Sequence, residues 1–233
     1  MICGLQKMTL LDYPGKIACT VFLGGCNFRC PFCHNSELFM GKPEKLMEDE
    51  EFFKFLKSRK GLLDGVCVSG GEPTLYKNLP EFSAKIKEQG FLVKLDTNGS
   101  RPALVKELVE KNLVDYIAMD VKNSPDRYAQ TAGLEKLDLA PIEESLRLLI
   151  GGNIDYELRT TLVVQLHDEA SIQDMGAWIG HLVPGKKPAK LFLQSFTDRD
   201  TVLFAGLSAP ETETTQRFAK ILEPFAECVT IRN

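Results

Sequence analysis

Cys26, Cys30 and Cys33 form the densest concentration of reactive side chains in the chain. Their spacing, Cys-x-x-x-Cys-x-x-Cys, puts three thiolates in one tight loop, near enough to hold a single polynuclear metal centre. Structural zinc sites take four protein ligands, usually as two separated pairs, and ferredoxin-type clusters also use four cysteines. His34 could add a fourth donor for zinc, but it directly follows Cys33, where the backbone makes shared tetrahedral coordination awkward. Three protein ligands on a four-iron cluster leave one iron open, which suits the binding and activation of a small molecule. The other cysteines, Cys3, Cys19, Cys67 and Cys228, stand alone, and buried structural thiols are their expected role. An odd total of seven, with no export signal in view, points to thiols and metal ligands in a reducing cytoplasm rather than disulfides.

Four further polar groups have types suited to ligand binding, each with a plainer local alternative. Ser69-Gly70-Gly71-Glu72-Pro73 reads on its own as a turn, and Asp96-Thr97-Asn98-Gly99 as a strand-ending Asn-Gly turn. Asp120 and Lys122 could be an ion pair at a strand end, and Arg159 could pair with Glu157 or Asp155.

The elements that must carry these groups alternate in type. Strand patterns run over 17–23, 66–69, 92–96, 116–121, 155–164 and 190–194. Helical patterns fall between them at 48–60, 79–89, 102–111, 142–150 and 171–182. This alternation implies right-handed crossovers and a parallel sheet, an α/β fold of the partial (β/α)6 TIM-type barrel class. One domain is expected over 1–233, with a core at about 15–200 and a C-terminal helix (211–224) and short strand (228–231) packing on its edge. The cysteine loop, Gly70-Gly71-Glu72, Asp96-Thr97-Asn98 and Asp120–Lys122 then fall at carboxyl ends of strands, the side of parallel α/β folds where ligands bind.

Composition narrows the partners. The 233 residues are 44% hydrophobic and 26% charged with a net charge of −4, an ordinary folding composition without the excess of Lys and Arg that phosphate binding requires. No nucleic acid is expected as a partner. The crowding of Lys186, Lys187 and Lys190 reads as a solvated loop. No apolar stretch approaches the roughly 20 residues of a membrane span, so no membrane association is expected and the cytoplasm is the expected location.

With the aromatic Phe32 before its last cysteine, the cysteine motif resembles the hallmark of the radical SAM superfamily. The resemblance implies a [4Fe–4S] cluster on Cys26, Cys30 and Cys33, chelated at its open iron by S-adenosylmethionine (SAM). Reductive cleavage of SAM would give a 5′-deoxyadenosyl radical that abstracts hydrogen, the protein contributing orientation and exclusion of water. Gly70-Gly71-Glu72-Pro73 is similar to the superfamily's GGEP motif, whose glycines admit the methionyl part of SAM and whose Glu pairs with its ammonium.

Asp96-Thr97-Asn98-Gly99 and Asp120-x-Lys122 are similar to motifs of a narrower group, the activating enzymes of glycyl radical enzymes. That likeness implies Asp96, Thr97 and Asp120 as ligands of a monovalent cation beside SAM, and Lys122 as a SAM contact. Asn35 would face the adenosyl group, Arg159 would lie under the SAM site, and no catalytic residue beyond the cluster and SAM ligands is implied. Thr197 stands where formate-lyase activases carry His, and the eight-cysteine ferredoxin insert of some activases is missing. Electrons would therefore come from an external one-electron donor such as flavodoxin or ferredoxin.

The opening, Met8 to Lys16, is most similar to the longer anaerobic ribonucleoside-triphosphate reductase activating proteins. The expected partner is thus a glycyl radical enzyme. A radical SAM enzyme acting on a small molecule such as a deazaguanine precursor is the first alternative, and a non-catalytic Fe–S or zinc module the second.

Overall fold

The chain begins with a strand that its sequence pattern hides. β1 (Ile2–Thr9) pairs antiparallel with β2 (Ala18–Leu23), and register shifts between Ile2 and Gly4 and between Gln6 and Thr9 break the alternation by which a strand is normally read. The computed structural model describes residues 1–41 and 43–232. Contacts divide it into two compact units, one of Met1–Asn27, Asn35–Thr97 and Ala103–Ala118, the other of Phe28–His34, Asn98–Pro102 and Met119–Asn233.

In the first unit β2 runs parallel to β3 (Gly65–Gly70), and β3 parallel to β4 (Leu92–Thr97). The crossovers are α1 (Asp49–Ser58) and α2 (Leu79–Glu88); α3 (Pro102–Glu110) follows β4. α1 buries Phe52 and Leu56, α2 buries Leu79, Phe82 and Ile86, and the rings of Phe52 and Phe82 stack with centroids 5.3 Å apart. Each large apolar side chain so removed from water contributes roughly 1.5–3 kcal/mol, and Val66, Val68, Val93 and Leu95 are buried on one face of the strands.

β5 (Tyr116–Asp120) leads into the second unit. There α4 (Pro125–Thr131) and α5 (Ala140–Gly151) precede β6 (Asp155–Leu162), α6 (Glu169–His181), β7 (Leu191–Ser195), α7 (Thr212–Leu222) and β8 (Val229–Arg232). β6, β7 and β8 are parallel neighbours, so the last strand extends the sheet beside β7. The strands follow chain order, β1 to β8. The fold is α/β and mostly parallel, as the alternation of patterns implies.

Two local differences have physical causes. α6 starts at Glu169, ahead of the expected Ser171, because Asp168 and Ser171 form a reciprocal capping box. The sequence reading passed over α4, which is only seven residues long and begins on Pro125 at its first turn. Among the described residues no helix is long and apolar enough to cross a membrane.

Candidate functional site

In the first unit the end of β3 lies against the chain leading into the cysteine loop. Gly71 donates its backbone N–H to the Leu23 carbonyl (3.0 Å), and Glu72 to that of Gly25 (2.8 Å). A Cβ on Gly70, whose φ is +124°, would sit 2.3 Å from the Leu23 oxygen, and one on Gly71 2.1 Å from the Gly25 oxygen. The glycines expected to admit a ligand are thus required first by the approach of two backbones.

Glu72, 1% exposed, precedes a short 3-10 turn over Pro73–Leu75. Its Oε1 accepts the Thr74 N–H (3.1 Å), the Thr74 hydroxyl and the Thr97 hydroxyl (2.8 Å). These bonds fix one carboxylate edge, as an acceptor for a ligand's ammonium would require. The Asn35 side-chain amide donates to the Gly70 carbonyl (3.1 Å), tying the residue after the cysteine loop to the glycine turn.

Asp96 follows Lys94 on one face of β4. Its Oδ1 is ion-paired with Lys94 and its Oδ2 accepts the Ser69 hydroxyl (2.8 Å). Sequence reasoning missed Lys94, whose signal is a lone charge inside the apolar run Leu92–Leu95; its side chain is 1% exposed.

In the second unit Cys30 and Phe32 are buried, Cys33 is half-buried, and the Cys33 N–H closes a turn on the Cys30 carbonyl (3.1 Å). Burial pushes the Cys30 thiol up to about 11, against the pull of the Lys122 ammonium. Lys122 Nζ lies 5.9 Å from the Phe32 ring centroid, within cation–π reach.

Asp120 meets Lys122, as the ion-pair alternative expects, and also Arg159. Lys122 Nζ is 2.9 Å from its Oδ2 and Arg159 Nε is 3.0 Å from its Oδ1. Burial alone would raise the Asp120 carboxyl, but the charges of Lys122 and Arg159 outweigh it and hold the group at about 2. Lys122 is raised in turn, since Asp120 and Cys30 more than offset its desolvation. Arg159 therefore pairs with Asp120, and Glu157 pairs with Arg232 instead (2.9 and 2.7 Å). Tyr128, also missed, donates its hydroxyl to the Asp120 carbonyl (3.3 Å).

His34 reaches the loop after β7. Its Nε2 lies 2.6 Å from the Thr197 carbonyl, and its ring stacks on Phe196 at 5.7 Å. The loop after β7 is also tied to the cysteine turn by the Phe204 N–H, which donates to the Pro31 carbonyl (3.3 Å).

Among the described residues no disulfide links the seven cysteines; Cys19 and Cys67 are buried as expected, whereas Cys3 is half-buried and Cys228 exposed. Among the described residues no three His, Cys, Asp or Glu side chains are grouped to hold one metal ion.

The profile described as the radical SAM superfamily matches residues 20–177. A protein of Methanocaldococcus jannaschii, provisionally named a glycyl-radical enzyme activating enzyme, is 33% identical over 100% of this chain and 95% of its own length. The pyruvate formate-lyase-activating enzyme of Clostridium pasteurianum is 35% identical over 54% of this chain, which spans about half (53%) of that enzyme. The 7-carboxy-7-deazaguanine synthase of Koribacter versatilis is 32% identical over 63% of this chain and 62% of its own. Among solved structures, QueE of Escherichia coli covers the whole chain and 93% of itself with a TM-score of 0.59 at 16% identity, a likeness of fold.

Proposed function

We propose, from the premise that the chain belongs to the radical SAM superfamily, that it activates a glycyl radical enzyme by taking a hydrogen atom from a glycine of that partner. It is an enzyme of that superfamily, with a [4Fe–4S] cluster and SAM as cofactors. The observation that carries the narrower reading is the identity of 33% running the length of both this chain and its archaeal relative. The partner is anaerobic ribonucleotide reductase or another glycyl radical enzyme, and an external one-electron donor completes the system.

Cys26, Cys30 and Cys33 would hold the cluster, which would supply the electron for reductive cleavage of SAM and so the means of hydrogen abstraction. Glu72, fixed along one edge by Thr74 and Thr97, offers its carboxylate to the SAM ammonium. Gly70 and Gly71 let the end of β3 pack directly on the Leu23 and Gly25 backbone beside it. Asp120 stays ionised between Lys122 and Arg159, which fixes Lys122 as a positive point for the SAM carboxylate. Phe32 and Cys30 are buried and would help to exclude water from that chemistry.

Mixing the reconstituted protein with SAM, a reductant and a glycyl radical enzyme encoded beside it should give a glycyl doublet by electron paramagnetic resonance. Replacing Cys26, Cys30 and Cys33 together by Ala should abolish both the doublet and 5′-deoxyadenosine. SAM cleavage without a doublet on any such partner would overturn the activase reading. The second reading, a small-molecule substrate, draws on the partial match to the deazaguanine synthase and expects SAM cleavage stimulated by a nucleobase-like compound.

A further inference from the structure

A buried lysine on β4 has no place in the machinery described so far. Cys67 and Lys94 are paired in the β3–β4 register, and alternation puts Ser69 and Asp96 on the same face two residues further on. Lys94 is 1% exposed, ion-paired with Asp96 Oδ1, with its Nζ 3.7 Å from Cys67 Sγ. Ser69 holds the other oxygen of Asp96 at 2.8 Å. Burying an ammonium costs several kcal/mol before its partner repays any of it, and an apolar side chain would fill the same space more cheaply. A Lys here is accounted for if Asp96 must stay ionised and stationary.

The groups suggested as ligands of a monovalent cation are each matched by this chain's own atoms. Asp96 has Lys94, Thr97 gives its hydroxyl to Glu72 at 2.8 Å, and Asp120 has Lys122 and Arg159. The negative charge that a free cation would neutralise is already balanced at each aspartate, so neither carboxylate fits one.

We infer that Lys94 is a tethered cation: its ammonium, acting through Asp96, supplies the positive charge at the SAM site that a bound monovalent ion would otherwise bring. This rests on the radical SAM reading, and makes Lys94 a positioning residue. SAM binding should then be indifferent to the salt cation.

The test is calorimetric titration of SAM into the cluster-loaded protein with choline, sodium or potassium as the only cation. For the wild type the Kd should agree within about twofold across the three. Lys94→Met should bind about tenfold more weakly in choline and recover in potassium, whereas Lys94→Met with Asp96→Asn should not respond to salt. Thermal melting of the cluster-free proteins in the same salts gives a second readout, with potassium raising the midpoint of Lys94→Met and not that of the wild type. Wild-type binding lost in choline and restored by potassium would overturn the inference, and this arm needs no variant to fold. Absence of SAM binding in every salt would instead sink the cofactor reading, leaving the melting series to decide on Lys94.

Discussion

At the scale of single residues, the chain spends its least replaceable positions on backbone approach and on charge pairing. Gly70→Ala would drive a methyl group into the Leu23 carbonyl at a φ that L side chains rarely adopt. A loss of about 2 kcal/mol or more in urea unfolding is expected, with a smaller soluble yield. Lys122→Met leaves Asp120 with Arg159 alone. SAM binding should weaken by about tenfold by calorimetry, with Lys122→Arg recovering part of it. Cys26, Cys30, Cys33, Glu72, Asp96, Asp120 and Lys122 stand out in the sequence as candidates because their types and spacing are rare together. Lys94 and Tyr128 do not, because a lone Lys in an apolar strand, or a Tyr in a short polar helix, carries no sign of which neighbour it will meet.

At the scale of elements, the strands with continuous apolar runs were read to within a residue or two. β1 was hidden by its irregular register, and α4 by its brevity. β8 was expected at the edge, and its anchor explains its alignment. Arg232 places its guanidinium 3.4 Å from the Phe192 ring centroid and both its terminal nitrogens on Glu157, which is 1% exposed. Arg232→Met should cost about 2 kcal/mol in urea unfolding, because a buried carboxylate loses its partner while the Arg itself stays partly in water. Adding Glu157→Gln should return part of that loss, the outcome that separates an unpaired charge from lost packing.

At the scale of the whole molecule, global stability should depend on pH through a histidine that takes no part in the proposed chemistry. His167 accepts the Val163 N–H at Nδ1 (3.1 Å), and its Nε2 faces the Lys122 carbonyl (2.9 Å). Burial lowers its pKa, against the opposing pull of those backbone bonds. Above about 6.5 the ring is neutral folded or unfolded; below it the unfolded chain takes up a proton that the native state resists, so stability falls as pH falls. The urea midpoint should drop between pH 7.5 and pH 5.5, and His167→Gln should flatten that slope while lowering the midpoint at pH 7.5. The α/β class and the strand-end placement of the polar motifs were readable from periodicity alone. Which charge pairs with which was not, since it depends on contacts between residues tens of positions apart, such as Asp120 with Arg159. The tie between the Phe204 amide and the Pro31 carbonyl makes that amide a silent spectator of the cysteine turn. It can trade its proton for deuterium only when the turn breathes, so its exchange clock should slow whenever something stiffens Cys30 and Cys33, far along the chain from either.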